Sequence, residues 1–204
     1  MAVLLLIRHG QNDMVGKKLA GRLPNVHLNA VGEAQARRLA AELAARLVRA
    51  VYASPLARAQ ETAQPIARVH DLPVETWPGL LEIDFGTWQG KRIKRLKKRK
   101  LWQVVQDRPD TMRFPDGESF TEAQARVAAA LETLSRRHDD SDWVVCVAHS
   151  DVIRLAVAHF LGMPLRNFQR IRIAPASLTA LHLQGEKPFF STINQTFDFC
   201  APHS

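Results

Sequence analysis

The stretch Ala2-Val3-Leu4-Leu5-Leu6-Ile7-Arg8-His9-Gly10 decides how this chain reads. A short unbroken apolar run that ends at a turn glycine predicts a strand buried on both faces, the mark of a parallel sheet. In open α/β sheets, ligands bind in the crevice outside the carboxyl ends of the strands. The run therefore delivers a guanidinium and an imidazole to the edge where chemistry takes place. Arg-His-Gly alone is only a tripeptide, and its weight depends on what the other strands bring to the same edge.

Working outward, a polar loop from Gln11 to Leu28 follows. Asn29 is placed to cap a helix running to about Val48, with Ala36, Leu39, Leu43 and Leu47 as its apolar stripe. Ala50 to Ala53 reads as a second strand. Ser54-Pro55 then opens a helix to about His70, with serine as cap and proline at the first helical position. Pro73 to Glu75 is a short strand candidate, and Gly79 to Asp84 leads into a loop bounded by Gly86 and Gly90. A helix is expected from the basic stretch at Lys91 to about Asp107, with Ile93, Leu96, Leu101 and Val104 on its inner edge. Ser119-Phe120-Thr121-Glu122 is a capping box opening a helix to about Arg137. Trp143 to Ala148 is a second strongly apolar strand. His149-Ser150 ends it, with Ser150 placed to cap a helix that stops at Gly162 and Pro164. The tail reads as strands at Arg170–Ile173, Ser177–Leu183 and Phe189–Ile193. Strands alternating with helices argue for a single α/β domain over residues 1–204 with a mainly parallel sheet.

Composition narrows the class. The 204 residues are 46% apolar, ordinary for a globular chain, and no run approaches the ~18 apolar residues that span a bilayer. The first apolar run lacks the flanks of a signal peptide, so no membrane association is expected. Two cysteines, Cys146 inside an apolar run and Cys200 near the end, give no disulfide framework and fit a reducing cytoplasm. Net charge is +8, but it is local: Lys91, Arg92, Lys94, Arg95, Lys97, Lys98, Arg99 and Lys100 carry it, and the remaining 20 basic residues balance 20 acidic ones.

Three strands end alike. The first ends at Arg8-His9-Gly10, the second at Ser54 with Arg58 in the next helical turn, and the late one at His149-Ser150. Right-handed crossovers bring these ends to one edge. Helix N-termini offer unpaired N–H groups and partial positive charge, and arginine's planar fork matches phosphate oxygens. The conjunction points to a compact oxyanion. It disfavours a metal, because two guanidinium charges repel a cation and no third ligand joins His9 and His149 at metal-site spacing. Neither a metal nor another cofactor is expected.

These residues resemble the histidine phosphatase superfamily, the phosphoglycerate-mutase-like proteins. The matching motifs run nearly the whole length: Leu6-Ile7-Arg8-His9-Gly10, Leu28 to Gln35 with Gly32, Ser54 to Ala59 with Thr62-Ala63, Leu81 to Gly86 with Trp88 and Gly90, Gly117-Glu118-Ser119, and Val147-Ala148-His149. The resemblance implies a three-layer α/β/α fold and a phosphohistidine intermediate. It implies His9 as nucleophile, Arg8, Arg58 and His149 as phosphate pocket, and Glu82 as proton donor. Residue chemistry agrees: a neutral imidazole attacks phosphorus, guanidiniums stabilise equatorial oxygens, and one carboxyl group protonates the leaving alkoxide and later activates water. Two departures concern the pocket. Gln11 stands where an acidic residue is frequent, and Val15 where an asparagine touches phosphate. Asn12 and Arg22 are candidates to take over that contact, and Gln11 and Ser150 join the expected substrate-binding set.

The expected function is a metal-independent phosphomonoesterase acting on a small phosphorylated substrate. A phosphoglycerate-type mutase with the same phosphohistidine is the alternative, although the short segment between Glu82 and Gly117 looks nearer to the phosphatases. A third reading is an anion- or nucleic-acid-docking module with weak catalysis. The run Lys91–Lys100 could attract polyanions, or be a solvated helix face anchored by Ile93 and Leu96. No stacking aromatics interrupt it, so a nucleic-acid partner is not expected. Trp77, Trp88, Trp102 and Trp143 read as packing residues, and monomer and homodimer stay open.

Overall fold

The computed structural model describes residues 2–183 and 187–197; Cys200 lies outside them. Six strands form one sheet: β1 (Val3–Arg8), β2 (Val48–Ala53), β3 (Val74–Thr76), β4 (Trp143–Ala148), β5 (Leu178–His182) and β6 (Phe189–Gln195). Their order is β3-β2-β4-β1-β5-β6. The four strands from β3 to β1 run parallel; β5 is antiparallel to β1, and β6 to β5. The mainly parallel sheet expected from the sequence is present, with its last two strands added as an antiparallel extension.

Side-chain alternation along the strands divides the core into layers. Leu4, Leu6, Tyr52, Val144 and Cys146 pack against α5 (Phe120–Arg136) and α6 (Ser150–Phe160). Val3, Leu5, Ile7, Val51, Val145 and Val147 pack against α1 (Ala30–Leu43) and α2 (Ala57–Val69). The result is α/β/α. A further cluster, including Ile83, Phe85, Trp88, Leu96, Phe114, Phe120 and Phe168, holds residues 83–120 together as a cover beside α6. That region contains the short helices α3 (Ile93–Leu96) and α4 (Lys100–Asp107).

Several boundaries differ from the sequence expectation. Helix α1 stops at Leu43, five residues early; Val48 begins β2 and Leu47 is exposed, because a tight turn with Arg46 N–H donating to the Leu43 carbonyl reverses the chain first. The basic helix is broken into α3 and α4 by a turn at residues 97–99. Helix α2 starts at Ala57 with no side-chain cap, because Leu56 holds the cap position; Ser54 lies two residues earlier, its hydroxyl bonded to His149 Nε2 and accepting the Leu56 N–H. Ser150 is the first residue of α6 rather than its cap; His149 holds that position. Residues 170–173 form no strand: Leu165–Arg170 is a 3₁₀ segment, and the Ile173 carbonyl is turned to Arg8. The capping box at Ser119–Glu122 forms as read, with both reciprocal bonds. Tryptophans 77, 88, 102 and 143 all pack against the core clusters.

Candidate active site

Strand register assembles the site. β1 and β4 pair with Arg8 opposite Ala148, and the His9 N–H donates to the Ala148 carbonyl at 3.0 Å. His9 and His149 are thereby brought side by side, ring centroids 5.3 Å apart. β2 pairs with β4 up to Ala53 and Val147, which brings Ser54 alongside the same strand end. The turn after β1 is held at close range: a Cβ on Gly10 would sit 2.7 Å from the Gly32 carbonyl oxygen, so α1 approaches the loop to a distance only glycine permits.

Each imidazole has an assignable tautomer. His9 Nδ1 lies 2.7 Å from the Gly10 carbonyl oxygen, which can only accept, so Nδ1 carries the proton and Nε2 the lone pair. His149 Nδ1 faces the Arg58 Nη2 donor at 3.4 Å, leaving Nε2–H to donate to Ser54 Oγ at 2.8 Å. Burial, followed by the Arg58 and Arg8 charges, pushes the pKa of His9 well below the usual histidine value. Burial first, then Arg58 and His9, does the same to His149. Both rings are neutral at pH 7.

The two guanidiniums are fixed by backbone carbonyls. Arg8 Nη1 donates to Ile173 at 2.6 Å, and Arg58 Nη2 to Gly21 at 2.7 Å. Arg8 Nε and both Arg58 Nε and Nη1 are buried without a hydrogen-bond partner among the described residues. Buried, charged and unpaired donors are costly, and an anion is the group whose chemistry would satisfy them. One turn along α2, Thr62 Oγ1 donates to the Arg58 carbonyl and accepts the Gly10 N–H, tying the guanidinium's helix to the His9 turn.

Glu82 sits across the cavity on a segment without regular structure, and other side chains hold it there. Arg22 Nε donates to the Glu82 carbonyl, while Arg126 Nη1 donates to those of Gly79 and Leu81. Arg22 and Arg126 both pair with Glu118, which also accepts the Asp84 N–H. Burial opposes the charge on Glu118, but the Arg126 and Asp84 bonds outweigh it and its pKa is lowered. For Glu82 the balance goes the other way. Burial, and then the Asp151 charge, raise its pKa to about 7 against the smaller pull of the Ile83 N–H, Arg58 and Arg8.

A cavity of about 560 Å³ opens over these groups, lined by Arg8, His9, Arg58 and Glu82 and, further out, by Asn12, Ser150, Asp151 and Arg154. His149 lies behind them, fully buried. The structure thus brings together Arg8, His9, Arg58, Glu82 and His149, and places Asn12 and Ser150 on the wall. Asn12 spends its side-chain oxygen on the Met14 and Val15 N–H groups. Gln11 and Arg22 do not line the cavity. The Gln11 backbone is bonded to Gln35 and Asn29, and Arg22 braces the Glu82 segment. Sequence reading missed Ser54 as a partner of His149, and missed Asp151, Arg154 and Arg126. Only Asp151 carried a local signal, as a carboxylate in the helical turn directly after a strand-end histidine.

The fold and this constellation define a phosphotransfer enzyme. A family model of the histidine phosphatase superfamily (branch 1) matches residues 4–196, and the chain belongs to that superfamily. It is 37% identical over 187 residues to the uncharacterized protein Rv0525 of Mycobacterium tuberculosis, covering 89% of this chain and 90% of that one. It is 28% identical over 201 residues to phosphoserine phosphatase 1 of Hydrogenobacter thermophilus, covering 96% and 93%. Among solved structures it is similar to the phosphoserine phosphatase of Entamoeba histolytica in complex with 3-phosphoglyceric acid, with a TM-score of 0.86 and 27% identity over 96% of this chain and 98% of that one. Its chemistry is that of a phosphatase. Among the described residues, no helix is long and apolar enough to cross a membrane.

Proposed function

We propose that the protein is a metal-independent phosphomonoesterase that works through phosphorylation of His9. The observation that carries this reading is the His9 tautomer: its Nδ1 proton is committed to the Gly10 carbonyl, so the Nε2 lone pair is free in a ring that burial keeps neutral. In the first step the Nε2 lone pair forms the N–P bond as the ester P–O bond breaks, and protonated Glu82 gives its proton to the leaving oxygen. In the second, the Glu82 carboxylate takes a proton from water, the water oxygen bonds phosphorus, and the N–P bond breaks. Arg58 and Arg8 stabilise charge on the equatorial oxygens, a contribution of roughly 3–4 kcal/mol per well-placed donor, while His149, its Nε2–H committed to Ser54 and its Nδ1 facing Arg58, positions Arg58 and packs against His9. The unpartnered buried nitrogens of Arg8 and Arg58 supply donors for this. Their two fixed positive charges argue against a metal ion at the same place.

The substrate is a small phosphorylated molecule, in keeping with phosphoserine phosphatases among the relatives. Its setting is the cytoplasm, where Cys146 stays a buried free thiol. A screen of phosphate esters with wild type and His9→Ala in EDTA tests the reading. Release of phosphate by wild type alone supports it, and equal release by both proteins, or a need for added metal, overturns it. The same screen with 3-phosphoglycerate and a bisphosphate primer reads out mutase activity.

A further inference from the structure

The basic run has a specific place in the fold. The loop leading away from His9 is stitched to it by backbone bonds: Lys18 and Arg92 form an antiparallel bridge, the Ile93 N–H donates to the Lys17 carbonyl, and the Leu19 N–H to that of Lys91. Leu96, fully buried in the cluster around Trp88, anchors the run from beneath. Between loop and run lies a second cavity of about 490 Å³, lined by Gly16, Lys17, Lys18, Arg92, Ile93, Lys94 and Lys97. Gly16, Lys18, Ile93 and Lys97 line the catalytic cavity as well, so the two spaces adjoin. No acidic side chain lines the second cavity, and none of its five cations takes part in an ion pair among the described residues.

A merely solvated face does not need this arrangement. Five like charges around one concavity repel one another, and the chain holds them there with backbone hydrogen bonds and an apolar anchor. A carboxylate offsets one of those charges, whereas a phosphate group offsets up to two and has more oxygens to accept from several of these donors at once. Resting on the phosphatase reading of the site, we propose that the substrate is a small polyphosphorylated ester: one phosphate sits against His9, and a second is held by Lys17, Arg92 and Lys94 in the adjoining cavity. A nucleic acid is the less favoured ligand, because the run presents no aromatic side chains for bases to stack on.

The test compares fructose 1,6-bisphosphate, adenosine 3′,5′-bisphosphate and p-nitrophenyl phosphate on wild type and on the double variant Lys17→Gln/Lys94→Gln, at fixed ionic strength. The proposal expects wild type to favour at least one bisphosphate by kcat/KM over p-nitrophenyl phosphate. It expects the double variant to lose about tenfold or more of that value through KM, with p-nitrophenyl phosphate changed less than about twofold, since neither lysine lines the catalytic cavity. KM for the bisphosphate should rise with added salt. Equal losses on all substrates, or no loss on any, overturn the proposal. Binding of both bisphosphates to the His9→Ala protein is measured by calorimetry alongside. Binding that the double variant abolishes, in a protein whose wild type hydrolyses nothing, would sink the phosphatase reading and spare the second-phosphate site. A single-stranded oligonucleotide that binds more tightly than either bisphosphate, and displaces it, would overturn the small-molecule assignment.

Discussion

The His9 and His149 rings stand edge to face, their planes inclined at 61° and their centroids 5.3 Å apart. Ser54 Oγ bonds the far side of the second ring. The three residues follow the ends of β1, β4 and β2, adjacent strands in one register, so the orientation of the candidate nucleophile is fixed by the sheet itself.

Ser54→Ala tests that support. Ser54 and His149 are both fully buried, and removing the hydroxyl leaves the His149 Nε2–H unpaired. The expected cost is ~1–3 kcal/mol of stability, read by urea unfolding. A drop in kcat should accompany it, with KM little changed, because the ring next to His9 is freed to turn.

In the proposed mechanism the proton on Glu82 sets a pH limit. With its pKa raised to about 7, kcat/KM should be level below that pH and fall above it as the carboxyl group ionises. Glu82→Gln should lower the rate on alkyl phosphates by about 10²–10⁴-fold. On p-nitrophenyl phosphate, whose leaving group needs little protonation, the loss in the first step should be much smaller. Similar losses of kcat/KM, which reports the first step alone, on both substrates would remove Glu82 from the role of acid.

The same group has a consequence for folding. A carboxyl group whose pKa is higher folded than unfolded stabilises the fold while protonated in both states. That contribution is lost as pH rises from 4.5 to about 7. Glu82→Gln, which cannot ionise, should therefore gain in stability relative to wild type across that window. Thermal unfolding of the two proteins at pH 5 and pH 8 measures the gap, and it should be wider at pH 8.

The unpaired nitrogens of Arg58 predict that oxyanions stabilise the protein. Phosphate or vanadate at a hundredfold excess over its dissociation constant adds ~2.7 kcal/mol. For a chain of this size that is roughly 2–4 °C in Tm per kcal/mol. Arg58→Lys keeps a charge but loses the fork that serves Gly21 and the anion together, and most of the thermal shift should disappear. An undiminished shift would place the anion elsewhere.

Much of this could be read from the chain because the informative residues lie at ends of strongly apolar strands. Leu4, Leu5, Leu6, Val144 and Val145 announce buried strands, and the residues after them must converge once the strands run parallel. Arg8, His9, Arg58 and His149 were legible for that reason. Glu82 was not legible from pattern alone: it lies on irregular chain held by Glu118, Arg22 and Arg126, whose mutual pairing spans sequence gaps that no periodicity reports. Only the family resemblance singled it out. The place of Arg22 is illegible for the same reason, since nothing local shows that its guanidinium turns to the Glu82 carbonyl and away from the cavity lining. The break between α3 and α4 was hidden because eight basic residues mask the apolar spacing on which a helix boundary is judged.

In the proposed mechanism phosphorus bonds to the Nε2 nitrogen of His9 during turnover. Rapid acid-free quenching with a hydrolysed ester, followed by mass spectrometry of the peptides, tests it most directly. The expected result is the mass of one phosphoryl group on the peptide containing His9, lost in acid, kept in alkali, absent from His9→Ala and accumulating in Glu82→Gln on p-nitrophenyl phosphate, where water activation is slowed. Steady turnover with no such adduct, or an adduct on another residue, would contradict it.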